Sequence, residues 1–159
     1  MKTILFVCTG NTCRSSMAEW LFRHMVEEQG LQDEINIESA GVFAATGESA
    51  SLQAIEAMEK HSIDISSHKS RQLTKEMLDK ADLILAMTNR HKRAIATISN
   101  NAIDKTFTLT EYAYKDKGKH DDIMDPYGFP VEEYEKCLIE IKKALINVME
   151  KLTEKNEEE

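Results

Sequence analysis

Ile4-Leu5-Phe6-Val7-Cys8-Thr9-Gly10-Asn11-Thr12-Cys13-Arg14-Ser15 is the stretch on which the fold of this chain turns. Its first four residues are apolar throughout and rich in β formers, the pattern of a strand covered on both faces. A polar loop follows. Met17, Trp20, Leu21 and Met25 then fall at helical spacing, with Gly30 as a C-terminal stop. A buried strand, a tight loop and a helix are the opening of a βαβ unit.

The rest of the chain repeats that alternation. Ile35-Asn36-Ile37 reads as a short strand, followed by a loop from Ser39 to Ser49. Leu52, Ile55 and Met58 suggest a second helix, and Thr74 can cap a brief third carrying Met77 and Leu78. Leu83 to Met87 is another buried strand, after which Thr88 can cap a helix through Ile95 and Ile98. Thr106-Phe107-Thr108-Leu109 reads as a last strand. Tyr134, Leu138, Ile141, Leu145, Val148 and Leu152 recur at steps of 4, 3, 4, 3 and 4, one apolar stripe of a long helix. The expected fold is α/β: a single domain with a four-stranded parallel sheet flanked by helices and a phosphate-binding loop after the first strand. Residues 1–153 form the domain, and the acidic end at 154–159 is expected to fray.

Composition narrows the class. The 159 residues are 42% apolar, with only 6 Gly and 2 Pro, so a real core is available. No apolar run approaches the ~20 residues of a membrane span. Met1-Lys2-Thr3 enters the first strand without a small-residue cleavage site, which is not the form of a signal peptide. Twenty Lys and Arg against 28 Asp and Glu give a net charge of -8, the wrong sign for nucleic acid as partner. Three Cys, an odd number, suit a reducing, cytoplasmic compartment. Nothing in the sequence demands more than a monomer.

In open parallel sheets, ligands bind beyond the carboxyl ends of the strands, which directs attention to the loop after the first strand. There a Cys, five residues, an Arg and a hydroxyl residue run into a helix start. Successive N–H groups entering a helix form an anion-binding concavity, so Thr9, Gly10, Asn11, Thr12, Cys13, Arg14 and Ser15 are the expected phosphate-binding residues. Gly10 and Asn11 most easily take the left-handed backbone such a cradle needs. Arg14 can grip two phosphate oxygens with its planar fork. The same N–H groups and Arg14 favour the thiolate of Cys8, which can attack phosphorus, and Ser15 can donate a hydrogen bond to that sulfur.

The segment from Val7 to Ser15 resembles the signature of the low-molecular-weight protein tyrosine phosphatases. The resemblance continues through Ser39-Ala40-Gly41, through Ser66 to Leu73, and through Asp125-Pro126-Tyr127-Gly128. It implies a metal-free, cofactor-free, two-step phosphocysteine mechanism on a phosphorylated protein. Carried over, Cys8 is the nucleophile, Arg14 the phosphate clamp and Asp125 the general acid. Asn11 holds the loop through contacts with Ser39 and His68, and Cys13 is the redox partner of the nucleophile. Ser16 departs from the family, which usually has Pro there; Ser is expected to cost rigidity rather than chemistry.

Asp125 has a separate rationale, since expelling a phenolate of pKa near ~10 requires a proton donor. Asp121 and Asp122 are its rivals. Phe43 and Tyr127 are expected to flank the substrate. In carrying Thr12 the loop resembles the family's bacterial protein arginine phosphatase branch, so phosphoarginine is the expected substrate and phosphotyrosine the alternative. Tyrosine-directed members tend to carry a bulky aliphatic residue there, which would leave phosphoguanidinium N–H groups unpaired. The five His and three Cys show no metal-ligand spacing, and Cys137 reads as a packed thiol. Two other classes share parts of the pattern. An arsenate reductase-like redox enzyme needs relay cysteines, and none lies between Cys13 and Cys137. A phosphate-carrying transport module needs no Asp-Pro acid loop.

Overall fold

The protein is described here by a computed structural model covering residues 1–115 and 121–158, with side chains through residue 154. Four strands, β1 (Lys2–Cys8), β2 (Ile35–Gly41), β3 (Leu83–Ala86) and β4 (Thr106–Thr108), form one parallel sheet in the order β2-β1-β3-β4. The helices are α1 (Arg14–Glu28), α2 (Leu52–Glu59), α3 (Lys75–Lys80), α4 (Asn89–Ile98), α5 (Leu109–Tyr114) and α6 (Val131–Glu158). A 3-10 turn, Asn100–Lys105, leads into β4.

β1 is central, which is why both its faces are apolar. Ile4 and Phe6 join the core under α1, α2, α5 and α6, while Leu5 and Val7 join the one under α3 and α4. Phe6 meets the Phe22 ring edge-on with centroids 5.9 Å apart. The stripe on α6 is buried from Tyr134 to Leu152. Truncating a fully buried side chain such as Phe6 to Ala would cost about 3–5 kcal/mol.

The local signals act as their chemistry dictates. Gly30, at φ +71°, closes α1, with Gly30 N–H bonded to Glu27 O and Leu31 N–H to Val26 O. Thr74 and Thr88 cap α3 and α4 by accepting the N–H groups of Met77 and His91.

Several details differ from the sequence reading. β2 runs on through Ser39 to Gly41, because its whole length pairs in register with β1, ending at Cys8 opposite Gly41. Leu109 opens α5 rather than closing β4, because Thr108 accepts the Glu111 N–H and caps a helix there. Leu52, the first residue of α2, is 81% exposed; that helix buries Ala54, Ala57 and Met58 instead. The helical backbone of α6 continues to Glu158. The expected fraying at 154–159 falls chiefly on side chains outside the described residues.

Candidate active site

β1 ends at Cys8 and α1 begins at Arg14, so the loop between them sits at the carboxyl edge of the sheet. Its shape is set by Asn11, which is fully buried and takes the left-handed backbone at φ +59°. Gly10 does not share that conformation. The side-chain amide and the carbonyl of Asn11 all have partners. Its Nδ2 donates to Ser15 Oγ and to Ser39 Oγ, both at 2.8 Å. Its Oδ1 accepts the Arg71 N–H at 2.9 Å, and its carbonyl faces His68 Nε2 at 2.7 Å. Trp20 Nε1 donates to His68 Nδ1 at 3.0 Å, so that ring nitrogen accepts and Nε2 carries the proton toward Asn11. Ser39 in turn donates to Glu19 Oε1 at 2.5 Å, and Arg23 Nε lies 2.9 Å from Glu19 Oε2.

This network orients the group beside Cys8. Ser15 Oγ lies 2.8 Å from Cys8 Sγ. With one of its two acceptor sites taken by Asn11, the Ser15 hydroxyl can donate its proton to a Cys8 thiolate, which can only accept. Arg14, only 5% exposed, donates from Nη1 to Ile123 O at 2.9 Å, and its Nη2 is 3.6 Å from Asp125 Oδ2. Ile123 is itself fixed by donating its N–H to Met87 O, just past β3. Asp125 Oδ1 accepts the Tyr127 N–H at 3.1 Å, and Phe129 N–H bonds back to Pro126 O across a turn with Gly128 at φ +84°.

The result is a cleft of about 370 Å³ lined by Cys8, Thr9, Gly10, Thr12, Cys13, Arg14, Phe43, Asp125 and Tyr127. Nine of the residues expected from the sequence therefore meet in one place. Asn11, Ser15, Ser39 and His68 stand buried behind its wall. Asp121 and Asp122 do not line it: the first gives its carbonyl to the Thr110 hydroxyl, and the second accepts the Asn89 N–H. Phe43 and Tyr127 stand at the mouth, 85% and 73% exposed. A larger hollow of about 560 Å³ opens at the opposite end of the sheet near Lys2, Asp82 and Tyr112, but its described lining contains no Cys, Ser or His.

Cys13 is buried, with its Sγ 3.3 Å from the Tyr134 hydroxyl. Burial and that sulfur push the Tyr134 phenol upward from its ordinary range. Cys137 is also buried, and desolvation pushes its thiol up to about 12, as befits a packing residue. Ser16 donates its hydroxyl to the Cys13 carbonyl at 2.8 Å, a local bond that stiffens the entry to α1 where proline would have done so by its ring. Glu19, Arg71, His91 and Tyr134 were not found by sequence reasoning. Glu19 has one local signal, its i,i+4 spacing from both Ser15 and Arg23, but a Glu on an amphipathic helix normally reads as solvated.

Similarities to known proteins agree with this geometry. The family model described as low molecular weight phosphotyrosine protein phosphatase matches residues 3–158. A protein-arginine-phosphatase of Bacillus subtilis is 43% identical over 149 residues, spanning 94% of this chain and 95% of that protein. A low molecular weight protein-tyrosine-phosphatase of Acinetobacter johnsonii is 39% identical over 126 residues, 79% of this chain and 80% of its own length. The structure of a YwlE arginine phosphatase mutant with a phosphorylated active-site serine superposes with a TM-score of 0.88 at 42% identity, covering 95% of both chains. With its four-stranded parallel sheet, its Cys8 loop and a match along nearly its whole length, the chain belongs to the low molecular weight phosphotyrosine protein phosphatase family.

Proposed function

We propose that this protein is a protein arginine phosphatase that works through a phosphocysteine intermediate. The observation that carries the reading is Thr12, a residue of the cleft lining with Cys8 and Arg14, which brings a hydroxyl to the loop where an aliphatic wall would strand guanidinium N–H groups. The full-length similarity to an arginine phosphatase supports it.

In the first step the Cys8 thiolate attacks phosphorus. The P–S bond forms as the P–N bond breaks, and Asp125 protonates the leaving guanidine nitrogen. In the second step Asp125 takes a proton from water, the oxygen attacks phosphorus, and the P–S bond breaks to release inorganic phosphate. Arg14 and the loop N–H groups hold the equatorial oxygens in both steps. The Ser15 hydroxyl stabilises the sulfur as nucleophile and as leaving group. Cys13 is the redox partner of Cys8. Residues 1–153 act as one phosphatase domain, working as a cytoplasmic monomer in a bacterium on phosphorylated proteins.

Phosphotyrosine is the second reading, favoured by the exposed rings of Phe43 and Tyr127 at the cleft mouth. Matched phosphoarginine and phosphotyrosine substrates compared by kcat/KM separate the two. The expected result is a preference for phosphoarginine that falls by about tenfold or more in Thr12→Ile, the scale of one stranded polar group. A preference for phosphotyrosine in the unaltered protein overturns the reading.

A further inference from the structure

His91 lies in the first turn of α4, in contact with the phosphate loop although 82 positions from it in sequence. It is 2% exposed. Its Nε2 is 2.8 Å from Thr9 Oγ1, and its Nδ1 is 3.0 Å from Thr88 Oγ1, the cap that also accepts the His91 N–H. Burial, with Arg14 adding to it and Asp122 and Asp125 opposing, pushes the imidazole down to about 4. The ring is therefore neutral at ordinary pH, with one donor and one acceptor for two hydroxyls that can each play either part.

Thr9 follows the nucleophile directly. Its carbonyl is held by the Phe43 N–H at 2.9 Å, so its backbone is tied to the end of β2 while its side chain is tied to α4. The same turn of α4 also holds the acid segment, because the Asn89 N–H donates to Asp122 Oδ1 at 2.9 Å. One helical turn thus touches both halves of the cleft.

We propose that His91 is a positioning residue of the phosphate loop, bracing Thr9 against the capped first turn of α4 so that the loop N–H groups stay converged on phosphate. This inference rests on the phosphatase reading of the cleft. Removing the ring nitrogens takes away the side-chain contact that ties the Thr9 hydroxyl to α4, while Thr88 keeps the His91 N–H, and lets the loop relax.

The test uses the full chain, with p-nitrophenyl phosphate as substrate and inorganic phosphate as ligand in calorimetry. His91→Phe keeps a planar ring and loses both hydrogen bonds. Its expected phenotype is roughly a tenfold rise in the phosphate Kd and a similar fall in kcat/KM. His91→Gln, whose amide can still meet Thr9, should stay within about threefold of the unaltered protein. Thr9→Val should reproduce the loss, and combining it with His91→Phe should add little, because both remove the same contact. A folded His91→Phe with unchanged Kd and kcat/KM overturns the proposal, as do losses that multiply in the double variant. Should His91→Phe not fold, a Thr9→Val protein with the unaltered phosphate Kd overturns it equally. Phosphate binding by an unaltered protein that hydrolyses nothing would refute the phosphatase reading instead, and the Kd series would still decide the role of His91.

Discussion

Asn11 Nδ2 donates to Ser15 Oγ at 2.8 Å, and Ser15 Oγ stands the same 2.8 Å from Cys8 Sγ. The amide holds the hydroxyl beside the sulfur, where its proton can be given to a thiolate. Ser15→Ala removes that hydroxyl from the sulfur as it leaves, so kcat should drop by roughly tenfold or more. The slower step should be loss of thiolate from phosphocysteine. Rapid-quench kinetics should then show phosphoenzyme accumulating; a steady-state level no higher than in the unaltered protein would count against this role.

Asp125 should reveal itself through the leaving group. Asp125→Asn should slow phenyl phosphate far more than p-nitrophenyl phosphate, because a good leaving group needs little protonation. Equal losses on both would remove Asp125 from the role of acid. Cys8→Ser should abolish turnover while leaving phosphate binding measurable by calorimetry.

Gly41 closes β2 against the loop. A Cβ there would come within 3.0 Å of Asn11 N and also run into the Thr9 carbonyl. Gly41→Ala should therefore destabilise the fold by about 1–3 kcal/mol, the usual cost of overpacking, and weaken phosphate binding together with it. Thermal melts and phosphate calorimetry on one preparation would check both; an unchanged Tm would contradict the close approach.

His91 should make the protein acid-sensitive. Its imidazole is pushed down to about 4 when folded, against an ordinary 6.5, so between those values the unfolded chain binds more protons. Stability should therefore fall as pH drops through that window, by an amount on the order of 3 kcal/mol if no other group intervenes. Urea midpoints measured from pH 7 to pH 4 should show a shallower decline in His91→Phe. Parallel curves would exclude this imidazole as the cause.

Mild peroxide should oxidise Cys8 to a sulfenic acid, which Cys13 then displaces to form a disulfide with loss of water. Activity should return with dithiothreitol. Mass spectrometry finding only sulfinic or sulfonic Cys8 would argue that Cys13, held by Tyr134, does not reach it.

The order of strands and helices was readable along the chain because each signal is local. The apolar run of β1 and the stripe on α6 show their period within a few residues, and the Thr74 and Thr88 caps complete their bonds there. Cys8, Arg14 and the residues between them were legible for a related reason: a strand end and a helix start fix where they lie. Phe43 and Asp125 were legible by resemblance, and their place in the cleft came from the fold.

Partners of buried polar groups were not legible. Asn11 is satisfied by Ser39, His68 and Arg71 from two later segments, Glu19 by Ser39, and Thr9 by His91. The same holds for the choice of Asp125 over Asp121 and Asp122, which depends on Ile123 docking at Met87. The sequence by itself determined the sheet, its flanking helices and a cysteine loop at a strand end, because periodicity and capping are short-range. Only the tertiary structure decided which distant side chains brace that loop and which carboxylate faces it. A buried donor must find an acceptor wherever the folded chain brings one, and that distance is not written in sequence spacing.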